Sequence, residues 1–333
     1  MTRITDVAKE AGYAPATISR YLNKKIELPA ETANRIDEAV KRLGYRPNLL
    51  AKRLSTGRTE TIGLVAPDIS NPFFAELALA IEDEAERHGY FVLMSSPRGQ
   101  RAREIACLKR HEDHHVDGLV MMTNEPDDGT LAANFGGHTH VVLVDEDVPG
   151  VSVPRIFVHN SEGAFEATKY LVAAGHRKIA HIGGPENLMS VRERMDGMLE
   201  AMRLEGLQVK DSWIQLGDYS RSFGIQAIDR ILEQPERPTA VFCGSDYIAI
   251  GVMHRVRELG LRVPEDLSIV GFDDMPFSSM LAPALTTVRQ PVEKLGKQAF
   301  RTLHALINQE ETEAEQRLPV ELVIRQSVFV RSP

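Results

Sequence analysis

From Thr61 onward, short apolar runs alternate with segments of helical periodicity, and this alternation constrains the fold more than any other feature. Short apolar runs are typical of parallel strands buried on both faces. Strand-helix alternation of this length predicts parallel sheets with right-handed crossovers, in two α/β lobes rather than one. Strands are predicted at 61–67, 90–96, 117–123 and 140–146, with helices between them at 74–88 and 101–115, and the series resumes after Phe157.

The N-terminal residues carry a different pattern, that of two short helices. Apolar residues from Ile4 to Ala11 recur at i, i+3, i+4 and i+7, and Gly12 ends this first helix. Pro15 suits the first turn of a second helix, and Ile18 gives that helix an inward face. The pattern is typical of a helix-turn-helix, whose second helix fits the DNA major groove, and equally of an ordinary helical hairpin.

Charge is divided unevenly along the chain. Residues 1–60 hold 12 Lys/Arg against 7 Asp/Glu, a balance of +5, whereas residues 61–333 hold 27 against 40, a balance of −13. Only the N-terminal part has the sign that displaces counterions from DNA. DNA contact is therefore predicted for that end alone, although charge asymmetry can also serve solubility.

Length and composition place the chain among soluble proteins of several domains. Its 333 residues predict two or three domains, with 43% apolar and 26% charged residues. No leader and no apolar run long enough for a membrane is evident, so we expect a cytoplasmic protein with no membrane partner. Cys107 and Cys243 lie in segments predicted to be buried, which favours reduced thiols over a disulfide.

Three stretches resemble the lactose-repressor/galactose-repressor family of bacterial transcription regulators. They are ITDVAKEAG near the N-terminus, TISRYLN in the second helix, and LGYRPNLLAKRLSTGRT after the third. The resemblance continues through the whole chain. It implies a helix-turn-helix headpiece at 1–45, a hinge helix or linker at 46–60, and an effector-binding and dimerisation domain at 61–333.

The same resemblance implies how the two lobes are connected. The regulatory part of the family is built like a type I periplasmic sugar-binding protein, with three crossings between lobes and the ligand in the cleft. We expect crossings near Asn160, Met275 and Val320. The first lobe is then expected at about 61–160 and 276–320, and the second lobe at about 161–275 and 321–333.

The headpiece offers five candidate DNA-reading residues on its second helix. The family's base-reading positions fall on Pro15 and Ala16, which cannot form bidentate hydrogen bonds but can lie against a thymine methyl group. Arg20 is the candidate for a guanine contact, and Thr17 and Ser19 for phosphate contacts.

Two candidate DNA-binding residues lie in the hinge. Asn48 can cap a short helix that is too short to be stable alone and is expected to fold against DNA and its twin from a second subunit. Leu54 matches the leucine that the family inserts into the minor groove, where a wedge kinks the duplex. The alternative is a leucine that packs within the linker.

Candidate effector-binding residues follow several of the predicted strands, where ligands bind in open α/β sheets. Sugars are recognised by aromatic faces together with carboxylate, amide and guanidinium groups. Arg194 and Asp246 are the principal predicted pair, although Asp246 can instead cap a helix and Phe73 and Phe74 can instead be core residues. The residues that match the family positions are Asn71, Phe73, Phe74, Asp145, Arg194, Tyr219, Asp246 and Gln290. Asp273 and Asp274 are assigned either to a crossover or to the cleft.

Together these features predict a homodimeric repressor that binds a near-palindromic operator and responds to a small molecule, a sugar or polyol. An enzyme is the first competing class, but Gly183-Gly184-Pro185 lacks the spacing of a phosphate-binding fingerprint, and no nucleophile motif occurs. We expect no catalytic residues, no metal and no cofactor. The second competing class is a sugar-binding receptor without a DNA role, and the basic N-terminal end argues against it.

Overall fold

The computed structural model describes residues 2–23, 26–45, 57–137 and 139–331. The chain divides into two compact units, Met1–Thr59 and Glu60–Pro333. The predicted hinge residues Asn48 and Leu54 lie outside the described residues. Within the described part of the chain, no helix has both the length and the apolar character needed to cross a membrane.

The smaller unit contains the predicted short helices, α1 (Ile4–Ala11) and α2 (Pro15–Leu22), followed by α3 (Ala30–Leu43). The backbone N–H of Arg3 donates to the Asp6 carboxylate (2.8 Å) at the start of α1. Gly12 ends α1 with φ +77°, a left-handed conformation that glycine adopts without strain. The three helices share one small core of Val7, Ala8, Ala11, Ile18, Ile36 and Ala39.

The larger unit alternates strands and helices almost to its end, as the sequence predicts. Its strands are β1 (Thr61–Val65), β2 (Phe91–Ser95), β3 (Gly118–Met121), β4 (Val141–Val144), β5 (Arg155–Val158), β6 (Ile179–Gly183), β7 (Ile214–Leu216), β8 (Ala240–Cys243), β9 (Ser268–Asp273), β10 (Thr286–Arg289), β11 (Glu315–Leu318) and β12 (Glu321–Val323). Its helices are α4 (Pro72–Arg87), α5 (Arg101–Glu112), α6 (Thr130–Ala133), α7 (Asn160–Ala173), α8 (Met189–Leu204), α9 (Arg221–Leu232), α10 (Asp246–Glu258) and α11 (Val292–Ile307).

The strands form two six-stranded sheets, one in each lobe, which confirms the predicted two-lobed α/β fold. The first sheet has the order β11-β5-β4-β3-β1-β2 and the second β12-β10-β9-β8-β6-β7. Strand pairs are parallel except β10 and β12, which are antiparallel. Each sheet carries apolar side chains on both faces. Helices cover both faces of each sheet, and the carboxyl ends of the parallel strands are left for a site.

The second crossing between lobes lies later in the chain than predicted, so the expected boundary near Met275 is wrong. Strand β10 pairs with β9, with Thr286 opposite Val270, and therefore belongs to the second lobe. The chain returns to the first lobe at Gln290 and Pro291, where α11 begins. The four residues of β10 are mostly polar, TTVR, so hydrophobic periodicity did not reveal the strand.

Acid should destabilise the second lobe through His181 on β6. The imidazole is buried with Nδ1 3.0 Å from the carbonyl oxygen of Phe242, and burial lowers its pKa to about 4. Between pH 6.5 and 4, His181 is protonated in the unfolded chain but stays neutral in the folded protein. The folded protein therefore loses stability relative to the unfolded chain as the pH falls through this window. Denaturant unfolding of the wild type and of His181→Gln should show the wild type losing about 3 kcal/mol relative to the variant from pH 7 to pH 4. A constant difference across this range would contradict the assignment.

Candidate functional site

The carboxyl ends of strands from both lobes converge on a shared cavity of about 30 Å³. The first lobe contributes the loops after β1, β3 and β4, and the second contributes α8, the end of β9, and the loops after β7, β8 and β10. A monosaccharide is larger than this space, which holds about two waters, so the cavity must widen before it can bind a sugar. The lining residues are Asn71, Phe73, Phe74, Thr123, Asn124, Asp145, Glu146, Ser190, Arg194, Tyr219, Ser245, Asp273 and Gln290. Every predicted effector residue except Asp246 is among them.

Arg194 is the cation of this site and is almost fully buried. Its Nε donates to Asn160 Oδ1 (2.8 Å), its Nη1 donates to the carbonyl oxygen of Gly244 (2.6 Å), and its guanidinium carbon lies 3.8 Å from the centre of the Phe272 ring. These contacts fix the plane of the group. Among the described residues no partner reaches Nη2, which is left to donate to a ligand.

Two aspartates face Arg194 in the cavity, one from each lobe. Asp273 Oδ1 lies 3.9 Å from Arg194 Nη1 and accepts a hydrogen bond from Gln290 Nε2 (2.8 Å). Burial raises the pKa of Asp145 to about 6 and raises that of Asp273 well above its ordinary value, with Arg194 opposing both shifts. Both residues have positive φ, +72° for Asp145 and +113° for Asp273. Non-glycine residues rarely adopt this conformation, and it is concentrated at binding sites.

Buried acceptors in the cavity are left without donors. Within the part of the chain that the structure describes, Asn124 Oδ1 and Gln290 Oε1 are buried and have no hydrogen-bond partner. No hydrogen bond from a described residue reaches the Asp145 carboxylate either. Leaving buried acceptors unsatisfied is costly, so the site favours a ligand that brings several O–H or N–H donors.

Aromatic side chains close the cavity on both sides. Phe73 and Phe74 line the cavity and also belong to the core of the first lobe, so their place in the core does not exclude contact with a ligand. Asn71 precedes them and accepts from the backbone N–H of Phe73 (3.1 Å), which starts α4. Tyr219 lies opposite, with its hydroxyl 3.0 Å from Ser190 Oγ. The Tyr219 ring needs the glycine at 184, because a Cβ there would lie 2.4 Å from it.

Asp246 is not a cavity residue, so its predicted role in pairing with Arg194 is wrong. It is fully buried behind the cavity, where its carboxylate accepts from the backbone N–H of Met275 (2.9 Å) and from two hydroxyls. The helix cap is Ser245, whose Oγ accepts from the N–H of Ile248 (3.2 Å). Asp246 therefore fixes the segment after β9, and Asp273 on that strand is the acidic partner of Arg194.

Sequence reasoning missed five lining residues and left two neighbours undecided. No motif signal marks Thr123, Asn124, Glu146, Ser190 or Ser245. Thr123 nevertheless ends a predicted strand, Asn124 follows it, and Glu146 follows a predicted site residue. Asp274, left undecided with Asp273, is structural, since its carboxylate accepts from Arg289 Nε (2.7 Å) and Arg325 Nη2 (2.5 Å).

Helix α2 of the smaller unit presents its predicted DNA-reading residues toward solvent. Pro15, Ala16 and Arg20 are exposed, and Thr17 and Ser19 are half-buried, while Ile18 is fully buried in the core. Pro15 is the first helical residue, and Ala14 before it gives no side-chain cap. One face of α2 therefore packs on the core, and the opposite face is exposed to solvent.

A larger pocket of about 590 Å³ lies on the second lobe, away from the cavity. It is lined by α10 and by the segment around Leu281, with apolar Ile250, Met253 and Leu281 beside several arginines. Although it is wider than the cavity, it lacks the convergent buried polar groups that fix a small ligand. The cavity is therefore the candidate ligand site.

Comparisons with known proteins agree with the two units. Residues 3–48 match the family model described as bacterial regulatory proteins, lacI family, and residues 168–328 match the model of a periplasmic binding protein-like domain. The chain is 36% identical over 326 residues to catabolite control protein A of Priestia megaterium, covering 97% of this chain and 98% of that protein. It is 36% identical over 332 residues to the HTH-type transcriptional repressor PurR of Proteus mirabilis, covering 98% and 97%.

Solved structures give the same result over nearly the whole length. The lac repressor dimer bound to operator and the anti-inducer ONPF superposes with a TM-score of 0.86 at 28% identity, covering 98% of this chain and 99% of that one. The complex of the transcriptional regulator CelR with cellobiose superposes with a TM-score of 0.74 at 28% identity, covering 98% and 100%.

Proposed function

Because this chain belongs to the lacI family of bacterial regulatory proteins, we infer that it is a DNA-binding transcription repressor controlled by a small-molecule effector. The proposal of an effector is carried by the cavity between the two lobes, which is lined by one buried guanidinium and two unsatisfied buried acceptors. The observation that supports the DNA half is the exposed face of α2 within a unit of positive charge.

We propose that the effector is a neutral sugar or polyol. Hydroxyl groups supply the donors that Asn124, Gln290 and Asp145 lack, and their oxygens can accept from Arg194. Phe73 and Tyr219 offer aromatic surface for the C–H face of a sugar ring. Seven of the predicted residues, with Asp273 in place of Asp246, make up the proposed site.

We propose that Arg20 reads base edges, that Pro15 and Ala16 lie against thymine methyls, and that Thr17 and Ser19 hold phosphates. Their exposure on one side of α2 supports this. Asn48 and Leu54 remain proposals from sequence alone, as hinge cap and minor-groove wedge.

The repressor acts as a homodimer, so that two headpieces meet a near-palindromic operator. Exposed apolar side chains on the larger unit support dimerisation. Phe91 and Leu93 lie on the edge strand β2 with 75% and 47% of their surface exposed, and Leu79 on α4 has 57% exposed. An exposed apolar edge strand has unpaired backbone groups and apolar surface, and both favour association with a second chain. We expect the dimer interface to include this edge together with helices α4 and α5.

We propose no catalytic activity for this chain, since its relatives are named as regulators. We also propose a cytoplasmic location, because a bacterial repressor must reach the chromosome. A sugar-binding receptor without a DNA role remains the alternative to test.

Fluorescence anisotropy with labelled promoter DNA at two salt concentrations separates these functions. A repressor should lose affinity steeply as salt rises, because its cations release counterions from phosphate. Adding candidate sugars from a thermal-shift screen should then change the operator affinity, and operator DNA should change the sugar affinity by the same factor. A protein that binds sugars but no DNA at low salt would be the receptor. Failure of this reciprocity would reject coupling between the two sites.

A further inference from the structure

Helix α8 directs its N-terminus across the cleft at a carboxylate of the opposite lobe. Glu146, which follows β4 in the first lobe, accepts from the backbone N–H of Met189 (3.0 Å, to Oε2) and of Ser190 (3.1 Å, to Oε1). Met189 and Ser190 are the first residues of α8, in the second lobe. The Glu146 side chain is 2% exposed, so these bonds are shielded from water.

This end of α8 is built to receive a negative group. The first N–H groups of a helix have no partner within it, and the helix dipole adds positive potential, so such ends bind phosphates and carboxylates. Residue Leu188 at the N-cap provides no side-chain hydrogen bond. Arg194 lies about one turn further along the same helix and adds a full positive charge. Glu146 thus supplies, from the other lobe, the anion that the helix lacks.

The charges around this position come from both lobes. Asp145 beside Glu146 and Asp273 on β9 are carboxylates, Arg194 on α8 is the single cation among the cavity-lining residues, and Tyr219 adds a hydroxyl. Burial, and then the charge of Asp145, raise the pKa of Glu146 to about 8, although the bonds to Ser190 and the charge of Arg194 oppose this shift. The ionised form of Glu146 therefore depends on the two N–H bonds that it accepts in the closed cleft. Both Glu146 oxygens accept N–H bonds, which is the arrangement of an ionised carboxylate.

We propose that Glu146 determines effector specificity by occupying the anion position at the N-terminus of α8 whenever the lobes close. An effector carrying phosphate or carboxylate would have to displace this side chain and leave it buried without partners. The cleft therefore accepts neutral, donor-rich ligands and rejects anionic ones. The inference rests on the proposed role of the cleft as effector site and names the ligand class that the site excludes.

The two lobes are also joined by a contact that does not involve Glu146, so the role of Glu146 can be tested by substitution. Arg317 on β11 in the first lobe pairs with Glu193 on α8 in the second (Nη2 to Oε1, 2.9 Å). Removing Glu146 should therefore leave the lobes able to close, with two N–H groups and Arg194 facing a vacated space.

Sulfate is a suitable probe, because it stays a dianion across the pH range of the protein. In isothermal titration calorimetry at matched ionic strength, Glu146→Ala should bind sulfate at least about tenfold more tightly than the wild type, since charge-assisted bonds to the two N–H groups become available. Glu146→Gln, which keeps the volume and removes the charge, should show a smaller gain. In amide NMR spectra of Glu146→Ala, the Ser190 signal should shift during the titration.

Two controls keep a carboxylate at position 146. Glu146→Asp should bind sulfate no better than the wild type, and Asp147→Asn removes a neighbouring carboxylate that pairs with Arg155 (3.2 Å) rather than with α8. Unchanged sulfate binding in Glu146→Gln and in folded Glu146→Ala would overturn the proposal, as would an equal gain in Asp147→Asn. If Glu146→Ala does not fold, Glu146→Gln decides. The titration uses neither sugar nor DNA, so its outcome is separate from that of the proposed function.

Discussion

Replacing Arg194 with Gln should abolish the effector response while leaving the headpiece able to bind DNA. The guanidinium is held by Asn160 and the Gly244 carbonyl, and its Nη2 has no hydrogen-bond partner among the described residues. The variant loses a charge-assisted bond to the ligand and leaves Asp145 and Asp273 buried without a cation. We expect effector affinity to fall by about 100-fold or more. Removing one partner of a buried charge pair also costs about 3–5 kcal/mol of stability, so the measurement belongs at low temperature on protein shown to be folded.

The matched control for this prediction is Arg192→Gln, on the same helix. Arg192 is exposed and donates only to the backbone carbonyl of Asn187 (2.9 Å) among the described residues, so its loss should change neither stability nor effector affinity much. Titration calorimetry with the sugar found by screening measures both variants. If Arg194→Gln binds that sugar as tightly as Arg192→Gln does, Arg194 has no place in the effector site.

The cavity shows what sequence can predict about a site and where it stops. Asn71, Asp145 and Arg194 each lie at the end of a strand or in the helix beside it, and the convergence of parallel strands brings such positions together. Asp246 satisfies the same rule in sequence, yet its side chain turns away to bind the Met275 N–H. The direction of the side chain decides whether Asp246 or Asp273 faces the cavity. The spacing of residues along the chain does not predict that direction.

Contacts between the two lobes could not be predicted either, because they depend on how distant segments pack and not on spacing along the chain. Glu146 meets α8 across 43 residues of chain, and no periodicity connects the two. The boundary error has a related cause: β10 enters the second sheet through backbone pairing with β9, while its side chains give little apolar signal. Hydrophobic periodicity reports the burial of apolar side chains, so it does not reveal strands of mostly polar residues or contacts between lobes.

Arg20→Ala should remove the ability of the headpiece to distinguish its operator from random DNA. Among the described residues no carboxylate pairs with Arg20, which lies exposed in the last turn of α2. A bidentate guanidinium contact to guanine is worth about 1–3 kcal/mol, so the ratio of operator to random-DNA affinity should fall by about 10- to 100-fold. Pro15 and Ala16 offer only methyl contacts and cannot compensate.

Lys41→Ala is the control that separates base reading from general charge. Lys41 is an exposed cation near the end of α3 in the same unit, so its loss removes one positive charge without touching α2. Both variants should bind random DNA slightly more weakly, because each gives up some electrostatic attraction. Only Arg20→Ala should lose the preference between operator and random sequence when anisotropy titrations are compared at equal salt. If Arg20→Ala keeps its preference for the operator, Arg20 does not read the bases. Base recognition would then have to come from another face of the headpiece, since the side chains of Pro15 and Ala16 have no hydrogen-bonding groups.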